Sequence, residues 1–194
     1  MLLTTPIQKR YTIEEYLDLE AQSEEKNEFL NGKIITMPGG TVNHSLIATN
    51  ITTALNIALD ETEHIVLNSD IKIHIPRFRH FVYPDAVVIC KAIEYYENRR
   101  DIILNPILIV EVLSSSTEDY DKNSKFIKYR TIPSFKEYVL VSQDEPFITS
   151  FFHKDEKTWI EENVDDLTKG IFLPSLNIEL PLAKVYKGVK FEIN

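Results

Sequence analysis

Two acids in this 194-residue chain sit where acids are seldom tolerated. Asp85 lies in the run Val82-Tyr83-Pro84-Asp85-Ala86-Val87-Val88-Ile89, and Glu111 in Ile107-Leu108-Ile109-Val110-Glu111-Val112-Leu113. Both runs are almost continuously apolar, as strands covered on both faces are. Strand side chains alternate, so Ile109, Glu111 and Leu113 share a face and Glu111 is committed to apolar company. An unpaired carboxylate there is costly unless it takes up a proton, so a cation, a lysine or backbone donors must compensate. If the two strands are neighbours, Asp85 and Glu111 meet at one end of the sheet, and a bound divalent ion relieves their repulsion. Hard oxygen ligands suit Mg2+, with Mn2+ as a substitute, better than zinc. Taken singly, each acid reads better as half of a structural salt bridge. Two of them, on successive buried strands, favour a shared ion.

A base follows. In the stretch from Tyr120 to Arg130, residues Lys122, Lys125, Phe126 and Tyr129 recur at spacings of three and four and are expected on one helix face. Phe126 and Tyr129 are its core contacts. Lys125 then falls on or beside the inward stripe, within the first turns after the Glu111 strand, while Lys128 points elsewhere. A lysine that only snorkels past an apolar stripe fits the same spacing.

The elements that must hold these groups are legible in outline. Thr12 and Glu15 form a capping box for a short helix. Residues 28–37 read as a hairpin around Asn31-Gly32, which tolerates the positive φ a tight turn demands. Pro38-Gly39-Gly40 ends it, and a helix follows over about 42–59. Leu46, Thr49, Thr53 and Ile57 are spaced for one of its faces, with Ile47, Ile51, Ala54 and Ala58 close by. Strands are predicted over 64–67, 71–75, 82–89 and 107–113. A second helix spans about 117–131 and ends at Pro133, and another strand covers 137–141. Residues 147–153 and 157–162 alternate like two arms of a meander. The tail over 170–180 is extended, and 183–186 is a helical turn. This order predicts an α/β (α+β) fold with a mixed central sheet, one long helix on its face and a second helix joining its central strands.

Composition bounds the rest. The chain is 43% hydrophobic and 26% charged, ordinary for a globular domain. Cys90 is the only cysteine, which excludes an internal disulfide, and it reads as a small core residue. The N-terminal stretch turns polar too soon for a signal peptide, and no run approaches the ~18 apolar residues of a membrane helix. A cytoplasmic protein with no membrane partner is expected. The net charge of −9 argues against a nucleic-acid partner. Base nevertheless concentrates in residues 77–80, 99–100 and 122–130, and a local positive patch can coexist with an acidic whole. There is no Gly-x-Ser-x-Gly nucleophile elbow and no phosphate-cradling glycine loop.

At these residues the sequence resembles the PD-(D/E)xK superfamily, the restriction-endonuclease-like fold. More closely, it is similar to the Uma-type branch of small endonucleases, formerly a domain of unknown function. The matching pieces are Glu28-Phe29-Leu30-Asn31-Gly32-Lys33-Ile34, His44, Ser69-Asp70-Ile71-Lys72-Ile73, Pro84-Asp85, Glu111-Val112-Leu113-Ser114-Ser115-Ser116-Thr117, and the run from Asp121 through Lys125 to Tyr129. The resemblance implies one domain over 1–194: an N-terminal helix and hairpin over about 1–40, a nuclease core over 41–142 and a β extension over 143–194. It implies a Mg2+-dependent endonuclease acting on DNA, with Asp85, Glu111 and the Val112 carbonyl as metal ligands. The superfamily lysine normally stands two residues after the second acid, where this chain has Leu113. In this branch it has moved to the following helix, as Lys125. Glu28 and His44 are second-tier candidates as further ligands, with His44 equally readable as a helix-start residue and Asp70 as structural. Ser114 to Thr117 read either as phosphate contacts or as helix caps. A homodimer, paired through the β extension or exposed edges, follows by analogy only. The alternative is a catalytically inactive nucleic-acid- or protein-binding module on the same fold, favoured by the missing strand lysine and the acidic balance. A third reading, metal-assisted hydrolysis of a small phosphorylated molecule, needs the acids but no long basic track.

Overall fold

Pro84 divides the architecture. In the computed structural model, which describes residues 9–114 and 118–191, the apolar run around it is two strands belonging to two different sheets. Strand β5 (His80–Val82) belongs to the first sheet and β6 (Ala86–Cys90) to the second, with Tyr83-Pro84-Asp85 crossing between them. This corrects the single strand expected over 82–89. Apolar alternation cannot say which sheet a strand joins, whereas proline has no N–H to give a ladder.

The first sheet begins with the hairpin of β1 (Asn27–Leu30) and β2 (Lys33–Thr36). Asn31 and Gly32 turn it at φ of 50° and 93°, as their residue types allow. It continues through β5, β4 (Lys72–Ile75), β8 (Arg99–Ile103) and β7 (Tyr95–Tyr96). β7 and β8 escaped sequence reading because they are short and Arg99-Arg100-Asp101 interrupts any apolar pattern. Helix α1 (Ile13–Glu20), with its Thr12–Glu15 capping box intact, packs Tyr16 and Leu17 on Phe29, Phe81 and Ile102 of this sheet.

The second sheet runs β12 (Thr158–Val164), β11 (Ile148–Asp155), β10 (Glu137–Ser142), β9 (Leu108–Leu113), β6 and β3 (His64–Asn68). β9 and β10 are parallel, and the segment between them holds a π-helical turn (Tyr120–Lys125) and α3 (Phe126–Tyr129). The expected helix is therefore present, but in two geometries. Ser115, Ser116 and Thr117 lie outside the described residues.

The two sheets share an apolar cluster. Ile73, Ile75, Val82 and Ile103 of the first join Val87, Ile89, Ile109, Leu113, Tyr138 and Leu140 of the second, with Tyr129 and Phe135. The other face of the second sheet is covered by α2 (Val42–Ala58), α4 (Leu182–Val185) and the hairpin of β13 (Gly170–Leu173) and β14 (Ile178–Pro181). The extended tail is thus a paired hairpin. Helix α2 buries Ile47, Ile51, Ala54 and Leu55, while Ile57 is 66% exposed. The face expected from Leu46, Thr49, Thr53 and Ile57 is about a residue out of phase, because small and apolar residues occur all round this helix. Among the described residues no helix is long and apolar enough to cross a membrane.

Candidate active site

Four carboxylates and one lysine reach the space between the sheets from β1, the crossing before β6, β9 and the π-helical turn. Phe29 of β1 packs toward α1, so its neighbour Glu28 points the other way. Glu111 lies on the β9 face shared by Ile109 and Leu113, as alternation required. Asp121 and Lys125 come from the π-helical turn, four residues apart. Glu28, Glu111, Asp121 and Lys125 are buried, with 4% to 7% of their surface exposed. Asp85 precedes β6. That strand pairs antiparallel with β9, Ala86 against Val110, and continuing the register by one residue sets Asp85 beside Glu111. The bond from the Asp85 N–H to the Val110 carbonyl, 3.1 Å, agrees with this.

Lys125 is the hub. Its Nζ lies 2.8 Å from Glu111 Oε1 and 3.5 Å from both Glu28 Oε1 and Asp121 Oδ1. The Tyr129 hydroxyl also donates to Glu111 Oε1, at 3.0 Å. Burial disfavours the ammonium, but Glu111, Glu28 and Asp121 outweigh it and hold the Lys125 pKa well above its ordinary value. Burial pushes Glu111 far above the usual carboxylate range; Lys125 opposes this, and Asp121 and Asp85 add to it. The lysine shared among three carboxylates therefore stays charged, and it does not neutralise them all.

Asp85 is held differently. Its Oδ2 accepts from the Val112 N–H at 2.7 Å and lies 3.4 Å from His44 Nε2. His44 sits in the first turn of α2, where its N–H donates to the Thr41 cap at 3.1 Å. Gly40 packs against the ring: a Cβ there would fall 3.1 Å from Nδ1. The Asp85 hydrogen bond raises the His44 pKa, and the Val112 carbonyl adds to this, against burial. His44 is thus both a helix-start residue and a member of the cluster. Its ring faces the side chain and the carbonyl that sequence assigned to an ion.

Asp85, Glu111, Lys125, Glu28, His44 and Val112 all line one cavity of about 480 Å³. Asp70 stays apart, exposed and 2.8 Å from Lys26. Lys122 is exposed as well, so the predicted face of Lys122, Lys125, Phe126 and Tyr129 is corrected. The buried stripe is Asp121, Lys125 and Tyr129, each four residues from the next. Asp121 was missed as a site residue although its spacing from Lys125 was the signal for it. Tyr129, expected only as core, also serves Glu111. The third omission is Tyr83. Its N–H donates to Glu28 Oε1 at 3.2 Å, and its hydroxyl is tied to Glu20 at 2.6 Å and to Lys72 at 3.1 Å. No local sequence signal announces that long-range anchor.

The donor set fits a divalent cation. Glu28, Asp85, Glu111 and Asp121 outnumber the basic side chains Lys125 and His44 beside them, an excess of acid that a bound cation would offset. Among the described residues no three His, Cys, Asp or Glu side chains gather closely enough to hold an ion by themselves. Mg2+ makes no such demand, since it keeps several waters and takes one or two carboxylates.

Comparison with known proteins agrees with this reading of the fold. Residues 13–183 match the model of the Uma2 family, described as "Putative restriction endonuclease". Two uncharacterized proteins of Synechocystis are similar. One, sll1609, is 38% identical over 135 residues, covering 70% of this chain and 76% of its own length. The other, slr1290, is 34% identical over 178 residues, 92% of each. A crystal structure from Anabaena variabilis, described as "a putative nuclease belonging to DUF820", superposes with a TM-score of 0.72. It is 20% identical, with 91% of this chain and 97% of that one covered.

Proposed function

The chain belongs to the Uma2 family, and on that footing we propose that it is a Mg2+-dependent nuclease that hydrolyses phosphodiester bonds of DNA. The observation that carries this reading is the pairing of β6 with β9, which brings Asp85 and Glu111 together beside a buried, charged Lys125. Asp85, Glu111 and the Val112 carbonyl are the groups that would hold the ion, with Mn2+ as a substitute. A bound divalent ion supplies an acidified water and neutralises phosphate charge.

The chain's own residues do the positioning. His44 and the Val112 N–H fix the Asp85 carboxylate. Tyr129 and Lys125 fix Glu111. Lys125, kept charged by its three acids, orients the attacking water or meets the charge growing on the phosphate. Glu28, itself held by the Tyr83 N–H, sets where Lys125 can stand. The alternative of an inactive module leaned on the missing strand lysine. Lys125 supports the nuclease reading against it, because a lysine from the next segment contacts the second acid directly.

The test is plasmid cleavage. Wild-type protein should cut in Mg2+ or Mn2+ and stop in chelator, and Asp85→Ala should lower the rate at least about a thousand-fold. Undiminished cleavage by pure Asp85→Ala protein would overturn the proposal.

A further inference from the structure

One polar atom at this cavity has no role in the cluster. Tyr120 opens the π-helical turn next to Asp121 and lines the cavity. Its hydroxyl is buried and, among the described residues, has no hydrogen-bond partner. The fully buried tyrosines are satisfied. Tyr16 donates to the Asn27 carbonyl, Tyr83 to Glu20, Tyr129 to Glu111, Tyr138 to the Asp121 carbonyl and Tyr186 to the Phe147 carbonyl. Nor is Tyr120 remote from the acids: the charges of Glu28, Asp121, Glu111 and Lys125 all bear on it. Its ring is held under the Lys128 ammonium, 4.9 Å from the centroid.

A buried hydroxyl without a partner weakens a fold, and phenylalanine would fill the same space without that cost. Such an atom makes physical sense if its partner arrives from outside. Resting on the nuclease reading, we propose that Tyr120 is a further catalytic residue whose hydroxyl donates a hydrogen bond to a non-bridging oxygen of the phosphodiester that enters the cavity. Burial, first, and the nearby carboxylates raise the phenol's pKa, so it meets the phosphate as a neutral donor. It complements Lys125, which is committed to three carboxylates.

Tyr120→Phe tests this in four readouts: thermal stability without metal or DNA, Mg2+ affinity, affinity for a short DNA duplex in Ca2+, and cleavage in Mg2+. The melting temperature should stay level or rise, since an unsatisfied group is removed. Mg2+ affinity by calorimetry should not change. Duplex affinity and the cleavage rate should each fall, the rate by roughly ten- to a hundred-fold. A variant that binds and cleaves like wild type overturns the proposal, as does one whose melting temperature drops by several degrees. Wild-type protein that binds no duplex also overturns it. If duplex binds and Tyr120→Phe weakens it while neither protein cleaves, the phosphate contact is supported and the nuclease reading fails instead.

Discussion

Glu111 and Glu137 are both buried acids on adjacent parallel strands of one sheet, yet they are stabilised in opposite ways. Glu137 pairs with Leu108 in the ladder and Glu111 with Leu140, three residues further along. Glu137 is wholly buried and accepts from Ser150 Oγ at 2.7 Å, the Ser175 N–H at 3.0 Å and Ser175 Oγ at 2.5 Å. Neutral donors on both carboxylate oxygens bind the β13–β14 turn to the sheet. Glu111 instead shares one lysine with Glu28 and Asp121, and Asp85 stands at its side. An acid inside a strand is therefore no sign of a site by itself. The distinguishing feature is whether the acid has neutral donors of its own or shares one cation with other acids.

That contrast predicts different responses to substitution. Lys125→Met should have the largest effect. It removes a cation from three buried carboxylates and should cost about 3–5 kcal/mol. Added Mg2+ should recover part of the loss, because the ion replaces missing positive charge. Urea unfolding with and without Mg2+ measures both effects, and unchanged stability in the metal-free protein would dissolve the contrast.

Glu137→Gln should cost no more than about 1 kcal/mol, because the amide can still accept from Ser175 and donate to Ser150. Cleavage and Mg2+ affinity should be untouched. Burial raises the Glu137 pKa, and its serine hydrogen bonds only partly oppose this. The folded state therefore binds its proton more tightly than the unfolded chain does. Its contribution is complete below the ordinary glutamate range and is lost as pH rises through the folded value. Glu137→Gln should remove that slope from a pH series of unfolding curves. Loss of Mg2+ binding in this variant would mean that the two acids are not distinct.

The residues of the candidate site could be picked out because burial and charge conflict within short segments. Asp85 and Glu111 stood out against apolar strands, and Lys125 against an aromatic stripe. The hairpin and the capping box were readable because turn and cap chemistry is local. What failed was long-range or phase-dependent. The chain changes sheets at Tyr83-Pro84-Asp85, which a continuous apolar run concealed. Helix α2 turns Ile47, Ile51 and Leu55 inward, a choice fixed by the sheet beneath it. Lys122 and Lys125 looked alike in sequence. The π-helical turn and the acids of β1 and β9 single out Lys125.

A divalent ion shared by Asp85 and Glu111 is the proposal on which the others depend. A crystal soaked in Mn2+ and measured for anomalous scattering should show one strong peak within bonding distance of both carboxylates. Saturating Mn2+ that leaves these two side chains without an ion would contradict it.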